Sequence, residues 1–115
     1  MAIGQILAFT PWTDATVNIA ATSNSNSQVT LPVLGAAPGG PVVPDCCQIY
    51  NAHATVISFV TIETNATETA SATTDMPIPP GAVLVVGIPQ GATTANAITA
   101  GSAGGPIYFT LGVGV

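Results

Sequence analysis

The side chains able to do chemistry are few. One histidine (His53), two adjacent cysteines (Cys46 and Cys47) and five carboxylates (Asp14, Asp45, Glu63, Glu68, Asp75) are the whole set in 115 residues. Thiol catalysis needs a cysteine beside a base, and glycoside hydrolysis needs two placed carboxylates. A hairpin after Cys46 and Cys47 would bring His53 near the thiols, but no glycine-rich elbow or oxyanion signature accompanies them. His53 is therefore read as a solvent-facing turn residue. Two cysteines and one histidine fall short of the four ligands of structural zinc. Asp14, Asp45 and Asp75 lie beside proline-containing turns, where aspartate commonly accepts from backbone N–H groups. They form no calcium-loop pattern, and no phosphate-binding glycine loop occurs. The expectation is no catalytic residue, no metal site, no cofactor and no enzyme activity.

The surrounding composition narrows the function further. The chain has no lysine and no arginine, and its formal charge is −5. Charged residues are 4% of the chain, against about 25% in an ordinary domain. Nucleic-acid binding and polybasic attachment to anionic lipid both need cations, so both are excluded. Val, Ile, Leu and Phe number 30 of 115, enough for a core and against disorder. Mean hydropathy is +0.59, and the polar surface must come from Thr, Ser, Asn and Gln. Such a chain is expected to live inside an assembly, because dispersed charge is what usually keeps a monomer in solution.

The apolar start lacks a basic region, and Pro11 and Trp12 interrupt it, so it does not read as a secretory signal. The longest apolar run, 81–88, has eight residues, where a membrane helix needs about 20. No membrane partner is expected.

The elements that must position these residues are strands. Threonine, valine and isoleucine supply 38 of 115 residues, and β-branched side chains favour the pleated backbone. Periodicity of two recurs over 16–20, 28–33, 46–50, 55–63, 82–88, 96–99 and 107–111. The segments 46–50 and 55–63 read as a hairpin joined through Asn51-Ala52-His53-Ala54. Both 55–63 and 82–88 are apolar on two faces and read as central strands, whereas 96–99 reads as a weak one. The run 76–81 reads as a breaker. On a strand, Cys46 and Cys47 point to opposite faces. They are read as two reduced thiols acting as small apolar residues, the alternative being a vicinal disulfide. Seven or eight short strands spaced by turns predict an all-β antiparallel sandwich or jelly-roll-like barrel. The chain is one domain over 1–115, with 1–14 read as an extended N-terminal arm.

The second half resembles a known group. Thr74-Asp75-Met76-Pro77-Ile78-Pro79-Pro80-Gly81, Ile88-Pro89-Gln90-Gly91-Ala92-Thr93 and Ile107-Tyr108-Phe109-Thr110-Leu111-Gly112-Val113-Gly114 are similar to small head-associated structural proteins of tailed bacteriophages. Ile49-Tyr50-Asn51 and Thr55-Val56-Ile57-Ser58-Phe59-Val60 occupy the strand–turn–strand that precedes them in that group. The resemblance spans 46–115. It implies an all-β capsid decoration or cement protein without enzymatic activity, bound to the major capsid protein on the virion exterior, as a dimer or trimer. The turn Asn51-Ala52-His53-Ala54 and the complete lack of Lys and Arg depart from the group's pattern.

The expected function is thus a virion structural protein that stabilises the shell. Ile6, Phe9 and Trp12 are the expected partner contacts, since they form an apolar segment ahead of the first regular strand and Trp is enriched at interfaces. The alternatives are a head fibre, tail or spike subunit, and a small ligand-binding β-sandwich. Against the last, the chain has only six aromatic residues, most of which fit strand cores.

Overall fold

The computed structural model describes residues 9–20, 27–31, 45–65, 67, 69–71, 74–89, 91–99 and 105–113, with residues 10 and 12–14 described by their backbone alone. Eight strands lie among them: β1 (Thr10–Ala20), β2 (Ser27–Thr30), β3 (Cys46–Asn51), β4 (Ser58–Glu63), β5 (Met76–Ile78), β6 (Val83–Gly87), β7 (Thr94–Thr99) and β8 (Pro106–Val113). They form two packed antiparallel sheets of four, in the orders β1-β8-β3-β6 and β2-β7-β4-β5.

That order has a simple origin. The ladders β1·β8, β2·β7, β3·β6 and β4·β5 nest inside one another, as in one long hairpin whose tip lies between β4 and β5. Rolling the hairpin up adds β3·β8 in one sheet and β4·β7 in the other. The result is the eight-stranded jelly roll. The sandwich expected from the sequence is the observed fold.

Alternation selects the core. Ile107, Phe109 and Leu111 of β8 are buried, while Tyr108 between them faces out. Cys47 and Ile49 of β3 join them, and Val60, Ile78, Ala95 and Ala97 close the core from the second sheet. Among the described residues Phe109 is the largest fully buried side chain, and it shares the cluster with the small Ala95 and Ala97 of β7. A large residue of β8 against small ones of β7 lets the two layers interdigitate there.

Glycine sets two of the connections. Ala82 N donates to Pro79 O and Ala92 N to Pro89 O, each at 3.1 Å. Gly81 (φ 76°) and Gly91 (φ 83°) hold the third position of these four-residue turns. With Pro80 holding a negative φ before it, Gly81 makes the first a type II turn, and at both positions glycine enters the left-handed region without the Cβ penalty.

Four expectations need correction. β3 and β4 are not a hairpin: they lie in different sheets, and 52–57 is a corner that crosses between them. The 76–81 run is not only a breaker, because Met76–Ile78 forms edge strand β5 against β4. Proline is tolerated at an edge, where no neighbour needs its missing N–H. The weak strand at 96–99 is part of β7, a central strand buried along most of its length. Low strand propensity yields there to its position between β2 and β4. The apolar run at 82–88 holds β6, which is an edge strand and not a central one.

Neither cysteine is in a disulfide, Cys47 lying in the core and Cys46 half-buried on the opposite face. Burial pushes the Cys47 thiol up to about 12 from an ordinary 9.0; a backbone hydrogen bond from Thr110 opposes the shift, and neighbouring Cys46 adds to it. The unfolded thiol therefore ionises at lower pH than the folded one. Its contribution to stability is complete below the unfolded value and is lost as pH rises toward the folded value. Above about pH 9 this residue should remove about 1.4 kcal/mol of stability per pH unit. Urea unfolding at about pH 8 and about pH 10.5 should show Cys47→Ala losing less stability with alkali than the parent protein. Equal losses in the two proteins would contradict the assignment.

Candidate interaction surface

The β1-β8-β3-β6 sheet turns one face to the core and the other outward. Across the outer face, register aligns Asn18, Tyr108, Tyr50 and Val83 in one row spanning all four strands. The adjacent row is Thr16, Thr110, Gln48 and Val85, and beyond it Cys46 stands between Gly112 and Gly87. Tyr50 and Tyr108 are cross-strand neighbours whose rings stack at 6.2 Å with 17° between their planes. Such a pair contributes roughly 0.5–1.5 kcal/mol beyond its area. Both rings remain over one-third exposed, and Val83 is 50% exposed. The Thr16 and Thr110 hydroxyls meet at 2.8 Å beside them.

No residue in these rows carries a charge. The carboxylates with described side chains lie elsewhere. Asp45 precedes β3. Glu63 ends β4 in the other sheet, where its Oε2 accepts from Thr61 Oγ1. Asp75 Oδ2 accepts from Ser71 N at 2.7 Å, the local turn bond expected of it. Among the described side chains, these rows are thus aromatic, hydroxyl- and amide-bearing, and neutral.

Asn51 fixes the end of β3 that presents Tyr50. Its side chain is fully buried. Its Nδ2 donates to Val56 O and to Ile78 O, both at 2.9 Å, and its Oδ1 accepts from His53 N at 3.1 Å. Its backbone N donates to Ala82 O, and its carbonyl accepts from Gly81 N. One residue thereby ties β3, the 52–57 corner, the end of β5 and the turn into β6. His53 completes the corner: its Nδ1 accepts from Thr55 N and Val56 N, each at 3.0 Å. That role puts the neutral ring's proton on Nε2. A Cβ at Gly105 would lie 3.0 Å from His53 Cδ2, so glycine leaves room for the ring. The histidine read as a solvent-facing turn residue is a half-buried brace of this corner.

The other expected residues fall as follows. Ile6 lies outside the described residues. Phe9 is half-buried just before β1, and Trp12 belongs to β1 while its side chain lies outside the description. β1 begins at Thr10, so residues 10–14 of the segment read as an arm lie in the sheet, and 1–8 lie outside the description. Tyr50 and Tyr108 were not singled out as contacts, although their alternation with Ile49 and Phe109 was a signal that they face out. The cysteines begin β3 and His53 lies past its other end at Asn51, a strand about 17 Å long at ~3.3 Å per residue. Among the described residues, no three of His, Cys, Asp and Glu gather where they could hold one metal ion. Between the sheets, at the β5/β6 side, a cleft of about 290 Å³ is lined by Ile49, Val60, Ile62, Met76 and Val86, with Thr74 and Asp75 among its polar residues.

Removing the Asn51 amide strands two carbonyls and one N–H at the corner, at about 1–3 kcal/mol for each group that stays buried. Asn51→Ala should therefore cost about 3 kcal/mol, and Asn51→Asp at least as much, because a carboxylate would face two carbonyl oxygens. Chemical denaturation measures this directly, and a loss below about 1 kcal/mol would show that the corner does not depend on the amide. No protein-family model, no curated protein and no solved structure matches this chain.

Proposed function

We propose that this chain is a non-enzymatic virion structural protein that binds the major capsid protein on the head surface and stabilises the shell across subunit junctions. The observation that carries the reading is the neutral outer face built around Tyr50, Tyr108 and Val83. Exposed tyrosines on a rigid sheet offer contact area at low entropic cost, and aromatic residues are enriched where proteins meet. The resemblance over 46–115 points the same way. Jelly rolls recur in capsid and lectin domains, which is a fold-level analogy only. Several modest contacts made together hold firmly through effective concentration. Ile6, Phe9 and Trp12 are proposed as further contacts.

A second reading is favoured by the same face. Stacked tyrosines flanked by the amides of Asn18 and Gln48, with no charge nearby, also suit a neutral saccharide. One pair of variants separates the readings. In gradient-purified particles the parent protein should be present, and Tyr50→Ala with Tyr108→Ala should lower its occupancy about tenfold or more, if the rings act as interface anchors. Glu63→Gln, on the other sheet, should leave occupancy unchanged. Absence of the protein from pure particles would defeat the reading, and tyrosine-dependent glycan-array binding would then establish the second one.

A further inference from the structure

We propose that β6 is a pairing edge, at which two copies of this chain join antiparallel about a two-fold axis centred on Val85. Three observations converge on this edge.

The first is the backbone. Asn51 N donates to Ala82 O and Ile88 N donates to Asp45 O, so the even-numbered residues of this segment turn their polar groups toward β3. By strand alternation Val83, Val85 and Gly87 turn theirs away. No strand among the described residues pairs there. Three N–H and three C=O groups thus line one edge. An antiparallel two-fold at Val85 places Val85 opposite Val85, and Val83 opposite Gly87 of the second copy. Every one of those groups then finds a partner in a hydrogen-bonded pair.

The second is the side chains. Run 81–88 contains no charge and no proline, and β3·β6 register is unbroken. The usual protections of a free edge are lysine, proline or a bulge, and this strand has none of them. Val83 and Leu84 are exposed. A strand apolar on both faces reads as central, and β6 becomes central once two sheets join into one of eight strands.

The third is the cleft of about 290 Å³, which reaches this edge at Val86 and Gly87. In the paired register Leu84 of the second copy stands opposite Val86, one of the apolar residues that line this cleft. A second copy is the occupant that fits, because the free edge is self-complementary about Val85. The pairing requires no capsid, so its outcome is separate from that of the shell-binding reading.

Sedimentation velocity on the full chain tests it with variants at the axis. Val85→Pro removes an N–H that faces away from β3 and leaves the internal ladder intact. Val85→Lys sets two ammonium groups against each other. The parent protein and Val85→Thr should be dimers. Both disruptive variants should be folded by circular dichroism and at least about tenfold weaker in self-association. If the proline variant does not fold, the lysine variant decides. A parent that stays monomeric up to its solubility limit, a closed trimer, or a dimer that survives in either folded variant overturns the proposal.

Discussion

A chain with no lysine or arginine must satisfy its polar groups by hydrogen bonding alone, and the fold depends on that constraint. Asn51 is its clearest expression, with each side-chain heteroatom engaged inside the corner where three segments meet. Asp75 and Glu63 follow the same rule, accepting from a backbone N–H and a threonine hydroxyl. The rule is not universal: Ser58 Oγ is one of the buried side-chain atoms among the described residues that has no hydrogen-bond partner. Such a group costs about 1–3 kcal/mol. The remaining stability comes from apolar burial between the sheets, to which charge contributes nothing.

The roll-up of one long nested hairpin connects this chemistry to the surface. It places β8 and β3 at the centre of one sheet, with Phe109 and Ile49 inward and Tyr108 and Tyr50 outward as consecutive residues of the same strands. The tyrosine pair is therefore fixed by the same alternation that builds the core. The roll also ends that sheet at β6, next to the short β5 of the other sheet, so the sandwich opens on that side. The uncharged face and the open edge meet at Val83. Both follow from topology and from composition together.

Much of this was legible in the sequence where the physics is local. Ile107, Phe109 and Leu111 against Tyr108 and Thr110 announce both the strand and its buried face. The repeated strand–turn spacing announces an all-β sandwich. What could not be read were the long-range choices. Nothing local in Asn51-Ala52-His53-Ala54 distinguishes a hairpin from a corner, because the deciding bond reaches Ile78, 27 residues away. The Ala- and Asn-rich β7 looks weak until β2 and β4 flank it. Run 81–88 reads as central, yet lies at the edge of the single chain. Of the candidate surface, the aromatic row was present in the alternation but hidden by the expectation that scarce aromatics fill cores.

The central claim is that this protein makes its contacts through neutral surfaces. Self-association measured by sedimentation equilibrium across a range of sodium chloride concentrations tests it most directly. With a formal charge of −5 on each copy, salt screens only repulsion between like charges. The association constant should hold level or rise as salt increases. A constant that falls steadily with salt would mean that attractive ion pairs hold the copies together, and would contradict the account.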